Sequence, residues 1–208
     1  MPDPASFRTL ADLAIFNQRD FLDRIAFHCD GTDLTFDQFA RHTAQVANGL
    51  RDIGIGADER VAFLGRNTIE FYETVIGAAR AGAVVTPINW RLAPPEIEWI
   101  LRDCAARVLF VDAAYVEVAA ELRGSLPGLE FIICMQDCGE AFVCYDDWRE
   151  EQSDSEPGVT RAPDDAALHR AVIAYASDYT LLGTSALPHG ISWARGEMVG
   201  ASLDHAIW

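Results

Sequence analysis

Apolar and polar positions alternate at helical spacing through "TFDQFARHTAQVANGLRDIGIG", where Phe36, Phe39, Thr43, Val46, Leu50 and Ile53 share one face. Thr35 followed by Gln38 predicts a capping box at the start of this helix, and Gly54 predicts its left-handed stop. Just upstream, "IAFHCDGTDLTF" carries two short extended runs around Asp30-Gly31, the signature of a hairpin. Downstream, short apolar runs alternate with helical stretches. "RVAFLG" predicts a strand, and "NTIEFYETVIGAARAG" a helix with Asn67 as N-cap and Gly82 at its end. "AVVTPI" is the next strand and "PPEIEWILRDCA" the next helix, opened by proline where a missing N–H costs nothing. "ARVLFVD", "AAYVEVAAELRG" and "LEFIICM" repeat the strand–helix–strand order. Apolar strands joined by helices of this length predict an α/β fold, with a mostly parallel sheet flanked by helices.

The pattern then breaks. "DDWREEQSDSEPGVTRAPDDAA" is acidic and contains Pro157, Gly158 and Pro163, and it reads as a solvated connector. After it, "RAVIAYAS" is a strand candidate that leads to "GTSALPHG". The expected organisation is an α/β subdomain over 1–145, a connector over 146–167, and the start of a second α/β subdomain over 168–208.

Charge and composition narrow the function. The formal net charge of -16 excludes a nucleic-acid binder, since little here could neutralise a run of phosphates. All 16 basic residues are arginine, so no lysine can serve as a phosphate-binding ammonium. The 5 cysteines (Cys29, Cys104, Cys134, Cys138 and Cys144) are odd in number and match no strong zinc spacing, so reduced thiols are expected. No apolar run approaches the ~20 residues that span a bilayer, and no signal segment opens the chain, so a cytoplasmic protein is expected. No Ser-His-Asp or Cys-His arrangement follows from spacing. His28 and His42, on a strand and a helix, read as surface or satisfied core residues.

The stretch "GRNTIEFYETVIGAARAGAVVTPINWRLAPPEIEWILRDCAARVLFVD", with the "LTFDQFARHTAQVANGL" helix before it, resembles the early part of AMP-forming acyl-CoA synthetases. These belong to the adenylate-forming superfamily, which includes luciferases and peptide-synthetase adenylation domains. In that family the counterpart of "GTSALPHG" is a hydroxyl- and glycine-rich loop ending in Pro-Lys-Gly that wraps the triphosphate of ATP. Successive backbone N–H groups in such a turn make a nest for anions. The resemblance assigns nucleotide contact to Ser177, Gly183, Thr184, Ser185, His189 and Gly190. It also shows damage: Ala186 stands for a glycine and His189 for the lysine, and either "DYTLL" is an insertion after "YAS" or Tyr179-Thr180 pair with the motif and leave Leu182 where serine belongs. ATP binding by this loop is therefore expected to be weak or absent.

The resemblance further implies ATP with magnesium and coenzyme A as cofactors and a carboxylic acid as substrate. It places the catalytic and metal-binding groups downstream of the loop, so no catalytic or metal-ligating residue is assigned here. The chain is read as a truncated N-terminal portion of such a ligase, an incomplete domain inactive by itself. The alternatives are a non-catalytic module that pairs with a separate C-terminal half or with itself, and a fragment of another adenylate-forming enzyme.

Overall fold

A computed structural model describes residues 10–136, 139 and 142–158, all of them within one compact unit, Met1–Arg161. Helix α1 (Leu10–Phe21) leads into a hairpin of β1 (Ile25–Cys29) and β2 (Thr32–Thr35). The pairing of Cys29 with Thr32 leaves Asp30 and Gly31 as a two-residue turn, with φ of 49° and 80°. Positive φ at both positions is what a type I′ turn demands, and Asp-Gly supplies it at low cost. The predicted capping box then starts α2 (Phe36–Asp52). The Gln38 N–H donates to Thr35 Oγ1 at 3.2 Å, and the Thr35 N–H donates to Gln38 Oε1 at 2.9 Å.

The rest builds one sheet. Its elements are β3 (Arg60–Leu64), α3 (Ile69–Ala81), β4 (Val84–Ile88), α4 (Pro94–Cys104), β5 (Val108–Val111), α5 (Val116–Ser125), β6 (Phe131–Cys134), β7 (Val143–Cys144) and α6 (Tyr145–Glu150). The 5 strands lie in the order β4-β3-β5-β6-β7, and every pairing is parallel.

Strand alternation divides the core between two faces. Val61, Phe63, Val108, Phe110 and Ile133 pack with Val46 of α2, Phe71 and Ala78 of α3 and Tyr145 of α6. The intervening Ala62, Leu64, Leu109, Val111 and Ile132 pack with Ile97 and Leu101 of α4 and Ala119 and Leu122 of α5. Burial on both faces is why these strands read as unbroken apolar runs. Helices α2 and α3 cross closely: a Cβ added at Gly77 would lie 2.5 Å from Val46 Cγ1. Among the described residues, no helix is long and apolar enough to cross a membrane.

Three details differ from the sequence reading. The N-cap position of helix α3 falls on Thr68 rather than Asn67, without a capping bond from the Thr68 side chain, because a turn in which the Thr68 N–H donates to Arg66 O at 2.9 Å delays the helix by one residue. Residues 146–158, the described part of the expected connector, form most of α6 and a strap held on α2 and α3. Asn48 Nδ2 donates to the Ser153 and Ser155 carbonyls at 2.7 and 3.0 Å, Arg51 Nη1 donates to Gly158 O at 3.0 Å, and buried Arg80 pairs with Glu156 at 2.5 Å. Finally, Cys29, Cys104 and Cys144 are free thiols, whereas Cys134 is disulfide-bonded, which corrects the expectation of reduced cysteines throughout.

Candidate functional site at the carboxyl edge of the sheet

From β3 the chain steps outward to β4, then crosses back over β3 to enter β5 on the other side. The loops leaving β3 and β5 therefore diverge, which makes their carboxyl ends the switch point at which open parallel sheets place ligands. Gly65 ends β3, and a Cβ there would lie 2.8 Å from Asp112 Cβ, so the two strand ends approach too closely for a side chain. Asp112 follows β5. It is buried, and its Oδ1 accepts from the Ala114 N–H at 3.0 Å. Its Oδ2 makes no hydrogen bond among the described residues, and exposed Arg66 stands 3.6 Å away, an ion-pair distance too long for a hydrogen bond. After β6, Gln136 Oε1 accepts from the Ala113 N–H at 3.0 Å.

The "NWRL" turn closes the same edge beyond β4. Asn89 Oδ1 accepts from the Arg91 N–H at 3.0 Å, and the Arg91 guanidinium lies 4.0 Å from the centre of the Trp90 ring. Trp90 in turn packs against the α4–α5 face of the core. Helix α4 starts from this turn, where the Ala93 N–H donates to Glu96 Oε2 at 2.8 Å.

The same carboxyl edge carries a buried polar relay. Glu73 of α3 accepts from the Tyr145 hydroxyl at 2.8 Å through Oε2, and Oε1 lies 2.6 Å from His42 Nδ1. Tyr145 is fully buried and Glu73 nearly so. Burial, and then the Glu73 carboxylate, push the Tyr145 hydroxyl well above its ordinary range, which keeps it a donor. The Cys29 thiol is likewise pushed up, by burial first and then by Asp30 and Glu70.

The opposite, amino edge carries different chemistry. Arg107, just before β5, donates to Glu59 before β3 and, through Nε at 2.8 Å, to Glu130 before β6. These bonds hold both carboxyls below their ordinary values and raise the guanidinium.

The residues that the resemblance assigns to nucleotide contact, Ser177, Gly183, Thr184, Ser185, His189 and Gly190, lie outside the described residues, and so does Cys138. Asp112, Glu73 and Tyr145 were not singled out from sequence. The one available signal was Asp112, a carboxylate at the end of the apolar run "VLFVD". Among the described residues, no group of three His, Cys, Asp or Glu side chains is placed to share a metal ion.

Comparison with known proteins gives consistent matches. The sequence fits the AMP-binding enzyme family over residues 16–199. It is 30% identical over 208 residues to a fatty acid–[acyl-carrier-protein] ligase of Streptomyces coeruleorubidus, covering 97% of this chain and 37% of that protein. The structure resembles an anthranilate CoA ligase crystallised with anthranoyl-AMP, with a TM-score of 0.69 and 29% identity over 75% of this chain and 29% of the other. It also resembles a putative long-chain-fatty-acid CoA ligase from Rhodopseudomonas palustris, with a TM-score of 0.67 and 31% identity over 78% of this chain and 40% of the other. The chain thus spans well under half the length of each of these proteins.

Proposed function

The chain belongs to the AMP-binding enzyme family, and from that premise we propose that it supplies the first domain of an AMP-forming carboxylate ligase. The reaction of the whole enzyme joins a carboxylate to ATP, releases pyrophosphate, and passes the acyl group from AMP to a thiol. Such chemistry rests on positioning and on charge stabilisation around the phosphates. The observation that carries this reading is the likeness to the first part of a structure that holds an acyl-adenylate. The described domain contributes the carboxyl edge, with Arg66 and Asp112 at the β3–β5 switch point. The loop over 183–190, in the segment beyond the connector, would hold the ATP phosphates. Its histidine and alanine replacements make that grip weak. Magnesium would be held by groups other than those described.

The acid is a carboxylate of a class still to be assigned, since the relatives act on fatty acids in one case and anthranilate in another. The thiol acceptor is coenzyme A or a carrier protein, the latter favoured by the relative that aligns with nearly all of this chain. We place the protein in the cytoplasm.

Calorimetric titration with ATP·Mg tests the reading. A weak, saturable heat that disappears in Gly190→Pro is the expected result. The absence of any heat at millimolar nucleotide, together with a stable complex with another polypeptide, would instead identify a non-catalytic module.

A further inference from the structure

Helix α6 and the strap that follows it are attached by different means. Tyr145 is fully buried, and Trp148 packs against the same core cluster. From Ser153 to Glu156 every residue is exposed, and within 153–158 only Pro157 is buried. What fastens this stretch is polar. Gln45, Asn48 and Arg51, spaced along one face of α2, donate to the carbonyls of Gln152, Ser153, Ser155 and Gly158. Few buried apolar contacts and largely exposed bonds are what let a segment open separately from its domain.

One bond of the strap carries charge. Glu156, with half its side chain exposed, accepts from Nη2 of Arg80, whose side chain is only 3% exposed. The other acceptors of Arg80, the Ala40 carbonyl at 2.6 Å and Thr43 Oγ1 at 2.7 Å, are neutral. Its Nε makes no hydrogen bond among the described residues. Burial lowers the guanidinium from its ordinary value, and Glu156 works against that. Among the described residues, a buried cation thus takes its counter-charge from a strap that little else fastens. Losing one partner of such a pair strands the other, so the pair keeps the strap down.

The strap also has a direction. Helix α6 leaves the carboxyl end of β7. Arg51, which meets Gly158, lies in the last turn of α2, close to Gly54, whose carbonyl accepts from Arg107 at the amino edge. Residues 153–158 therefore carry the chain along α2 toward the amino edge. Extended, these 6 residues reach about 20 Å.

We propose that residues 153–158 are a releasable latch. Closed by the Glu156–Arg80 pair, it fixes the chain's exit from the domain at the amino edge; open, it moves that exit back to α6. The latch rests on the described domain alone. Only its consequence draws on the ligase reading: opening gives the segment that bears the loop over 183–190 about 20 Å of added reach.

The test uses the ¹⁵N-labelled 208-residue chain. In the parent, the Asn48 side-chain N–H hydrogens should exchange with solvent through an opening that low urea does not promote. The Phe63 and Phe110 amides should exchange through an unfolding that urea does promote. Glu156→Gln should speed the Asn48 exchange about tenfold, the loss of one charge-assisted bond, and leave the two phenylalanine amides within about twofold. The same variant should lower the ¹H–¹⁵N NOE at positions 153–156 and leave Tyr145 to Arg149 unchanged. Asn48→Ala, which removes two neutral bonds and keeps the ion pair, should lower it less. Asn48 exchange with the urea dependence of Phe63 would overturn the proposal. So would an unchanged NOE in Glu156→Gln, or a loss of order in α6 equal to that in the strap. None of these readouts depends on ATP binding, so the latch and the ligase reading fail separately.

Discussion

The two ends of the same parallel sheet are built on opposite plans. At the amino edge, one arginine gathers the entrances of three adjacent strands: Arg107 bonds Glu59 and Glu130 with its charge and the Gly54 carbonyl at 3.1 Å. At the carboxyl edge the polar groups are buried and incompletely paired. Asp112 Oδ2 and Thr68 Oγ1 lack hydrogen bonds among the described residues, and Glu73 is held between a tyrosine and a histidine. Partners across the amino edge are exposed enough to be exchanged for water, whereas Glu73, Tyr145 and Asp112 at the carboxyl edge are buried. One end holds strands together, and the other is arranged around a space.

Substitutions that separate the two ends differ in size. Tyr145→Ala should cost most, about 3–5 kcal/mol, because it empties a fully buried ring site and strips Glu73 of a donor. Urea unfolding of the variant against the parent measures it. Tyr145→Phe keeps the ring and removes only the hydroxyl, so about 1–3 kcal/mol is expected from the carboxylate oxygen left unmatched. A cost equal to that of the alanine variant would show that the relay, not packing, fixes α6.

Arg107→Gln at the amino edge should cost less than Tyr145→Phe, since its contacts are exposed and screened. Its signature is pH. Glu59 and Glu130 have folded values lowered below the ordinary 4.5, so the stability they contribute is present above that pH. It is lost as pH falls through the lowered values. Denaturation midpoints of parent and variant, separated at pH 7, should therefore converge in acid, and a constant gap would show that the arginine acts by packing. Smallest of all is Arg66→Gln, expected to change stability by about 0.5 kcal/mol or less because Arg66 is largely exposed.

What could be read in advance follows the same physics. Strands β3, β5 and β6 were legible because burial on two faces leaves only apolar residues to choose from, and the hairpin because two positive φ values call for Asp-Gly. Helix α6 was hidden: Asp146, Asp147 and Glu150 made its stretch look solvated, yet Trp148 packs so closely that a Cβ at Gly49 would lie 2.5 Å from its ring. Two-residue β7 is too short to repeat the strand alternation even once. The relay joins residues 31 and 72 positions apart, which no local pattern records. Thr68 displaced Asn67 as cap through one backbone turn, a difference below the resolution of residue preferences. The loop over 183–190 is assigned to phosphate by resemblance alone, and its residues lie outside those described.

The contrast between the edges is tested most directly by amide chemical shifts of the 208-residue chain as ATP·Mg is added to millimolar concentration. Shifts are expected at the carboxyl edge, at Gly65 to Thr68, Asp112 to Ala114 and Gln136, while Gly56, Glu59, Arg107 and Glu130 stay still. Movement confined to the amino edge, or none at either edge, would contradict it.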